Sequence, residues 1–324
     1  MKDLKNYPVN LEEVIKAERV IRPYLKETSL TYYKNLSELI GAQIYIKHEN
    51  HNRGGSFKIR GGLNLMEHLK EKGIKGVITF TTGNHGISVA TSAKLYGIQA
   101  TVVVPIGNNA AKNEMIKNAG ARLIEAGNNF EEAAEVVERL SKEENLYYIH
   151  AANEPHLING VGTEFLEIIR ELPDIDTILL PIGAGSELAA ATIVFKQLKP
   201  SVEIIAVQSE ASQAAYLSWK SQKICTSTNQ TFAGGFATGS GYEVPFNIYK
   251  NHLSDFVLLT EEEIKQGMNM GITFTRNLAE GAGASTIIGA YKIREQLKNK
   301  KVVLQMSGCN TDLSILKEVI NQYN

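Results

Sequence analysis

Four short stretches of the chain hold residue types and spacings that could do chemistry. In the first, His51-Asn52-Arg53-Gly54-Gly55-Ser56-Phe57-Lys58-Ile59-Arg60-Gly61-Gly62, glycines bracket a lysine at the expected start of a helix capped by Ser56. A lysine amine condenses with an aldehyde cofactor when its neighbours lower its proton affinity and fix its direction. The plainer reading is a solvated helix lysine, and the stretch alone favours it. The second, Thr81-Thr82-Gly83-Asn84-His85-Gly86, follows an expected strand and opens a helix. Two hydroxyls, an amide and backbone N–H groups at a helix start suit a carboxylate, and Asn84 could donate to a phenolic oxygen; a capped turn is the alternative.

The third stretch, Pro181-Ile182-Gly183-Ala184-Gly185-Ser186-Glu187, again runs from strand through small residues into a helix and reads as a phosphate cradle. No Gly-Lys-Ser/Thr follows, and Leu188 stands where a dinucleotide fingerprint needs its third glycine, so neither of those motifs applies. Taken alone, the loop is better explained as a tight turn. The fourth, Ser307-Gly308-Cys309-Asn310, directly follows an expected strand. Its serine could meet a ring nitrogen without holding it protonated, or could simply end the strand.

Positioning these loops requires strands and helices in alternation, and the sequence supplies them. Short β-branched runs at 43–47, 77–80, 101–104, 122–124, 147–150, 177–180, 204–207 and 302–306 alternate with amphipathic stretches. The 130–140 stretch places Ala133, Val136, Val137 and Leu140 on one helical face, and 157–172 does so with Phe165, Ile168, Ile169 and Leu172. That order predicts an α/β protein of βαβ units with mainly parallel sheets. The loops near 51 and 149 flank a βαβαβα block, which gives a small domain of 51–148 and a large domain of 1–50 with 149–324, two open sheets with a ligand in the cleft between them. The glycine-rich 231–245 segment reads either as a substrate neighbour or as a surface loop.

Composition narrows the partners. Lysine and arginine total 34 against 35 acids, so no long-range field favours nucleic acid or an anionic membrane, and a small molecule is the expected partner. Only Cys225 and Cys309 are present, with no Cys-x-x-Cys pair, which argues against a disulfide scaffold or structural zinc and fits a reducing cytoplasm. Residues 1–10 lack the apolar core of a signal peptide, and runs such as 101–106 are too short to span a bilayer, so a soluble, unexported protein is expected.

Together and in this order, the four loops resemble those of fold-type-II pyridoxal phosphate enzymes (tryptophan synthase β-like), most closely the threonine and serine dehydratase branch that includes the serine racemases. The resemblance runs from about Thr28-Ser29-Leu30 to the C-terminus. It takes in Ser56-Phe57-Lys58, Gly83-Asn84-His85, Gly160-Val161-Gly162-Thr163, Glu280-Gly281-Ala282-Gly283-Ala284 and Ser307-Gly308. It implies pyridoxal 5'-phosphate held as an imine on Lys58, with Phe57 against the ring, Asn84 on the ring hydroxyl and Ser307 facing the ring nitrogen. Gly183, Ala184, Gly185, Ser186 and Glu187 would hold the phosphate. Ser56, Thr81, Thr82, Gly83, Asn84 and His85 would take the substrate carboxylate, and Lys58 would remove the Cα proton.

The activity implied is elimination of water from L-threonine or L-serine, giving 2-oxobutanoate or pyruvate plus ammonia, by a homodimer or homotetramer. Serine racemisation, β-replacement of the cysteine or threonine synthase kind, and a non-catalytic amino acid or cofactor binding module are the alternatives. Thr82 stands where similar racemases place an acid serine and many dehydratases an alanine, so it is a second catalytic candidate. Ala184, Ser186 and Glu187 depart from the family's phosphate loop, and a carboxylate there repels phosphate unless it points elsewhere. Gly54 replaces a common threonine. Gln208 and Ala214 stand at the positions matched to a racemase metal site, so no metal is expected. A chain ending at Asn324 leaves no room for a regulatory domain, and no isoleucine feedback is expected.

Overall fold

The computed structural model describes residues 7–127 and 130–323; residues 1–6, part of the stretch read for a leader, and Asn324 fall outside it. Ten strands are described: β1 (Leu30–Tyr32), β2 (Gln43–His48), β3 (Gly76–Phe80), β4 (Gln99–Val104), β5 (Arg122–Glu125), β6 (Tyr147–Tyr148), β7 (Thr177–Pro181), β8 (Glu203–Ser209), β9 (Asp255–Leu259) and β10 (Lys301–Met306). They form a four-stranded sheet, β5-β4-β3-β6, and a six-stranded sheet, β1-β2-β10-β7-β8-β9. Every pairing is parallel except β1 with β2. The expectation of an α/β fold with two mainly parallel sheets is met.

Contacts divide the chain into two compact units, one of Met1–Leu25 with Phe57–Val161 and one of Lys26–Ser56 with Gly162–Asn324. The first holds the four-stranded sheet. The first 25 residues, set with the larger part in the sequence reading, group here because the Leu11–Ile21 helix buries Ala17 and Ile21 among Ile59, Leu63, Leu69 and Ile87. Asn10 starts that helix by accepting the Glu13 N–H at 3.0 Å. In the second unit every residue of β7 is buried, as a central parallel strand covered on both faces requires. Its core joins Ile44, Ile46, Leu179, Val207, Leu259 and Leu304 from five strands to Ile287 and Ile288 of the Gly281–Lys292 helix.

The eight strand runs read from sequence all appear, with ends shifted by one to two residues. The two unread strands, β1 and β9, are the edges of the large sheet. The expected 157–172 helix is instead two helices, Pro155–Val161 and Thr163–Glu171, that break at Gly162. Ser56 does not cap the Lys58–Glu71 helix: Phe57 occupies the cap position without a side-chain bond, and Ser56 forms an antiparallel bridge with Gly308.

One buried histidine sets an acid limit on stability. His156 is wholly buried in the first unit, its ring 4.2 Å from that of Tyr7 and 4.0 Å from that of His68. Among the described residues neither ring nitrogen has a hydrogen-bond partner. Burial, with smaller contributions from His68 and Lys72, pushes its pKa down to about 3. The unfolded chain therefore takes up a proton near pH 6.5 that the folded chain refuses, so the contribution is present above about pH 6.5 and is lost as pH falls toward 3. We expect His156→Phe to remove about 1–2 kcal/mol of the stability loss between pH 7 and pH 5, and to be neutral or stabilising at pH 7. Urea midpoints measured across that range test this; an unchanged pH slope counts against it.

Candidate functional site

In the first unit, Lys58 is the first residue of the Lys58–Glu71 helix, and its Nζ lies 4.4 Å from the centroid of the Phe57 ring. Phe57 is itself buried. The carbonyl of Lys58 accepts a hydrogen bond from Ser88 Oγ at 2.6 Å. Ser88 lies one turn into the Asn84–Tyr96 helix, whose entry loop is the second candidate stretch. Small residues allow this approach, since a Cβ on Gly62 would lie 2.5 Å from Ser88 Oγ. The root of the lysine and the start of the loop helix are thereby joined directly. Ser88 was not singled out from sequence, because its spacing reads only as a small residue on a buried helix face.

The 81–85 loop closes on itself. Thr81 Oγ1 accepts the Gly83 N–H at 3.1 Å, Thr82 is exposed, and Asn84 opens the helix half-buried. The first N–H groups of any helix lack acceptors within it, which gives this end its affinity for anions. His85 is buried, with Nε2 3.0 Å from Thr79 Oγ1, and that hydroxyl donates to the Ile149 carbonyl at 2.9 Å. The hydroxyl's one proton is spent on the carbonyl, so His85 must donate from Nε2 and carry Nδ1 bare. Burial pushes the His85 pKa down to about 3, and the positive charges of Lys58 and His150 add to the effect. His85 is thus a neutral acceptor at neutral pH.

In the second unit, the 183–187 loop leaves β7 and turns into the Ser186–Leu198 helix. Gly185 caps that helix at φ 92°, a left-handed conformation that glycine adopts without strain. A Cβ on Gly183 would collide with the carbonyl oxygen of Gly235, so two backbones meet there with no side chain between them. The 231–245 segment is therefore packed at this point, and Ser212 Oγ fixes it further through the carbonyls of Phe236 at 2.9 Å and Thr238 at 3.0 Å.

Glu187 does not project over the loop. Its Oε1 accepts from Gln305 Nε2 at 3.0 Å, and Gln305 lies on β10 inside the sheet. The same Nε2 donates to Glu164 Oε2 at 3.0 Å. All three side chains are buried. This network went unseen in the sequence, where its members are scattered over more than a hundred residues with no shared motif.

Ser307 follows β10 directly and is nearly buried, and among the described residues its hydroxyl makes no hydrogen bond. The next residue, Gly308, is where several segments close in. A Cβ on Gly283 would collide with the Gly308 backbone, and one on Gly308 would stand 2.8 Å from Glu280 Oε1 and 3.1 Å from Ser56 Cβ. The N–H of Cys309 donates to the Gly55 carbonyl at 2.9 Å, and Asn310 Nδ2 donates to that of Gly54 at 2.7 Å. Gly54 has φ 81°, which a β-branched residue would adopt only under strain. The second unit thus gathers Ser56, Ser307, Glu280 and the glycine-rich start of the Gly281–Lys292 helix, while the first gathers Phe57, Lys58 and the 81–85 loop.

The chain as a whole is similar to known proteins. The family profile described as "Pyridoxal-phosphate dependent enzyme" matches residues 21–308. The chain is 34% identical over 318 residues to an L-threonine ammonia-lyase of Thermotoga maritima, covering 97% of this chain and 79% of that one. It is 33% identical over 321 residues to a catabolic L-threonine dehydratase of Staphylococcus aureus, covering 96% and 92%. Among solved structures, maize serine racemase superposes with a TM-score of 0.92 at 27% identity, covering 98% of both chains. The processed threonine deaminase isoform 2 of Solanum lycopersicum does so with 0.89 at 31% identity, covering 98% and 96%. Carried by a match that spans both sheets and three of the four loops and reaches Gly308 of the fourth, the chain belongs to the family of pyridoxal-phosphate dependent enzymes.

Proposed function

We propose that this protein eliminates water from a small hydroxy amino acid, converting L-threonine to 2-oxobutanoate, or L-serine to pyruvate, with release of ammonia. The observation that carries this reading is the similarity, across nearly the full chain, to proteins named for threonine ammonia-lyase and dehydratase activity. The residues also fit the cofactor. A glycine-lined helix entry whose carboxylate is turned into the core suits a phosphate, and an unbonded serine hydroxyl suits a ring nitrogen. Bound pyridoxal 5'-phosphate supplies a sink for the electron pair left at Cα.

The chain's own groups do the rest. Lys58 would hold the cofactor aldehyde through Nζ, and the same amine, when free, would take the Cα proton. Phe57 would cover the ring, Asn84 would donate to its oxygen, and Gly183, Ala184, Gly185, Ser186 and Glu187 would hold the phosphate through the backbone of their loop. Ser307, a neutral donor, leaves the ring nitrogen unprotonated. Ser56, Thr81, Thr82, Gly83, Asn84 and His85 engage the substrate carboxylate, fixing the direction of the Cα–H bond. His85, neutral, places no second cation beside the amine of Lys58.

A second reading, racemisation, is favoured by one feature: the exposed Thr82 hydroxyl, which could return a proton from the opposite face. A panel of L- and D-hydroxy amino acids separates the two. We expect oxo acid from L-threonine and little inversion; inversion without oxo acid would favour the racemase, and no product from any member would leave only a binding module. In the dehydratase reading the product feeds isoleucine biosynthesis, the protein works in the cytoplasm with both cysteines reduced, and it assembles as a homodimer or homotetramer. Among the described residues no helix is long and apolar enough to cross a membrane.

A further inference from the structure

We propose that Gln305 is a positioning residue for cofactor binding: it holds the phosphate loop's own carboxylate, Glu187, away from the N–H groups that take the phosphate. The inference rests on the assignment of the 183–187 loop to the cofactor phosphate made above, and adds a residue that this assignment does not contain.

Glu187 is the second residue of the Ser186–Leu198 helix. A carboxylate in a first turn ordinarily swings back to the exposed N–H groups of that turn, where the helix dipole favours it. The loop therefore carries a tethered competitor for its ligand. In the structure that carboxylate is buried, and its Oε1 accepts from Gln305 Nε2 at 3.0 Å. The second hydrogen of the same amide goes to Glu164 Oε2, also at 3.0 Å, on the Thr163–Glu171 helix. The orientation of the amide is not arbitrary, because turning it over would set its oxygen against two carboxylates. Gln305 is fully buried on β10, two residues before Ser307, so the strand that presents the ring-nitrogen partner also restrains the phosphate loop.

The experiment uses the full chain stripped of cofactor and titrated with pyridoxal 5'-phosphate and, separately, with pyridoxal, which lacks the phosphate. Dissociation constants are read from the imine absorbance, and the phosphorus resonance of the bound cofactor reports on its phosphate. Gln305→Leu is expected to weaken pyridoxal 5'-phosphate by roughly tenfold or more and pyridoxal by less than about twofold, as freed like charge beside an anion would. Adding Glu187→Leu to it should restore most of the loss. Equal weakening of both aldehydes, or no rescue by the second substitution, overturns the proposal. Should Gln305→Leu not fold, Glu187→Gln with Gln305 intact decides: unchanged preference for the phosphorylated aldehyde supports the proposal, and a fall of about tenfold overturns it. If the unmodified protein does not prefer the phosphorylated aldehyde, it is the assignment of the loop that fails, and the role of Gln305 falls with it.

Discussion

Lys58→Ala is expected to lower kcat on L-threonine by at least about 10³-fold, the range for losing a nucleophile and general base together. The absorbance of a cofactor bound through the lysine should vanish at the same time. Borohydride reduction of the unmodified protein, followed by peptide mapping, should place the cofactor on the peptide containing Lys58. The expectation comes from where the amine is held. Its helix starts at residue 58 itself, the Phe57 ring lies 4.4 Å from Nζ, and Ser88 Oγ ties down the carbonyl at 2.6 Å. Retention of both turnover and chromophore after the substitution would sink the proposed function. A milder effect is expected at Ser88: Ser88→Ala should lower kcat by roughly tenfold with little change in KM, as for a residue that positions the lysine helix through the Lys58 carbonyl rather than binding substrate.

The second large effect is expected from one methyl group. A Cβ on Gly183 would collide with the Gly235 carbonyl, and neither partner is a side chain that can rotate aside. Gly183→Ala must therefore displace backbone on one side of the proposed phosphate loop. We expect a loss of about 2–4 kcal/mol, seen as a fall in Tm of roughly 5 °C or more, together with cofactor binding weakened by at least about tenfold. Gly239→Ala is the matched control: the nearest atom its Cβ meets is the Ser227 carbonyl at an ordinary 3.6 Å, and its Tm should stay within about 2 °C. Similar Tm values for the two variants would show that the backbone can accommodate the methyl and that the close approach at residue 183 is incidental.

Much of this arrangement was legible because local rules governed it. Strand, small-residue loop and helix follow one another at 76–96 and at 177–198, and a parallel sheet places such loops at its carboxyl edge. What escaped was set by distant partners. Ser56 has the chemistry of a cap, yet pairing with Gly308 draws it into an extended bridge, and Phe57 takes the cap position. The β1 and β9 edge strands were missed because an edge strand is bonded on one side only and needs a weaker pattern; β1 has just three residues. The break at Gly162 interrupts a run whose apolar spacing continues across it, and periodicity alone gives no sign of it. Gln305, Glu164 and Glu187 are each unremarkable in the sequence and acquire meaning only when three elements converge on one amide.

The bond between Ser88 and the Lys58 carbonyl works as a fixed ruler. On the proposed reading, one end marks the root of the amine that would remove a proton, and the other the helix whose first residues would receive the carboxylate of the same molecule. Both marks lie on one folded body, so the span that would be offered to an amino acid, from its acid group to its Cα hydrogen, is set within that body alone. On the proposed reading, molecules whose acid group lies one methylene further from the hydrogen should be poor substrates.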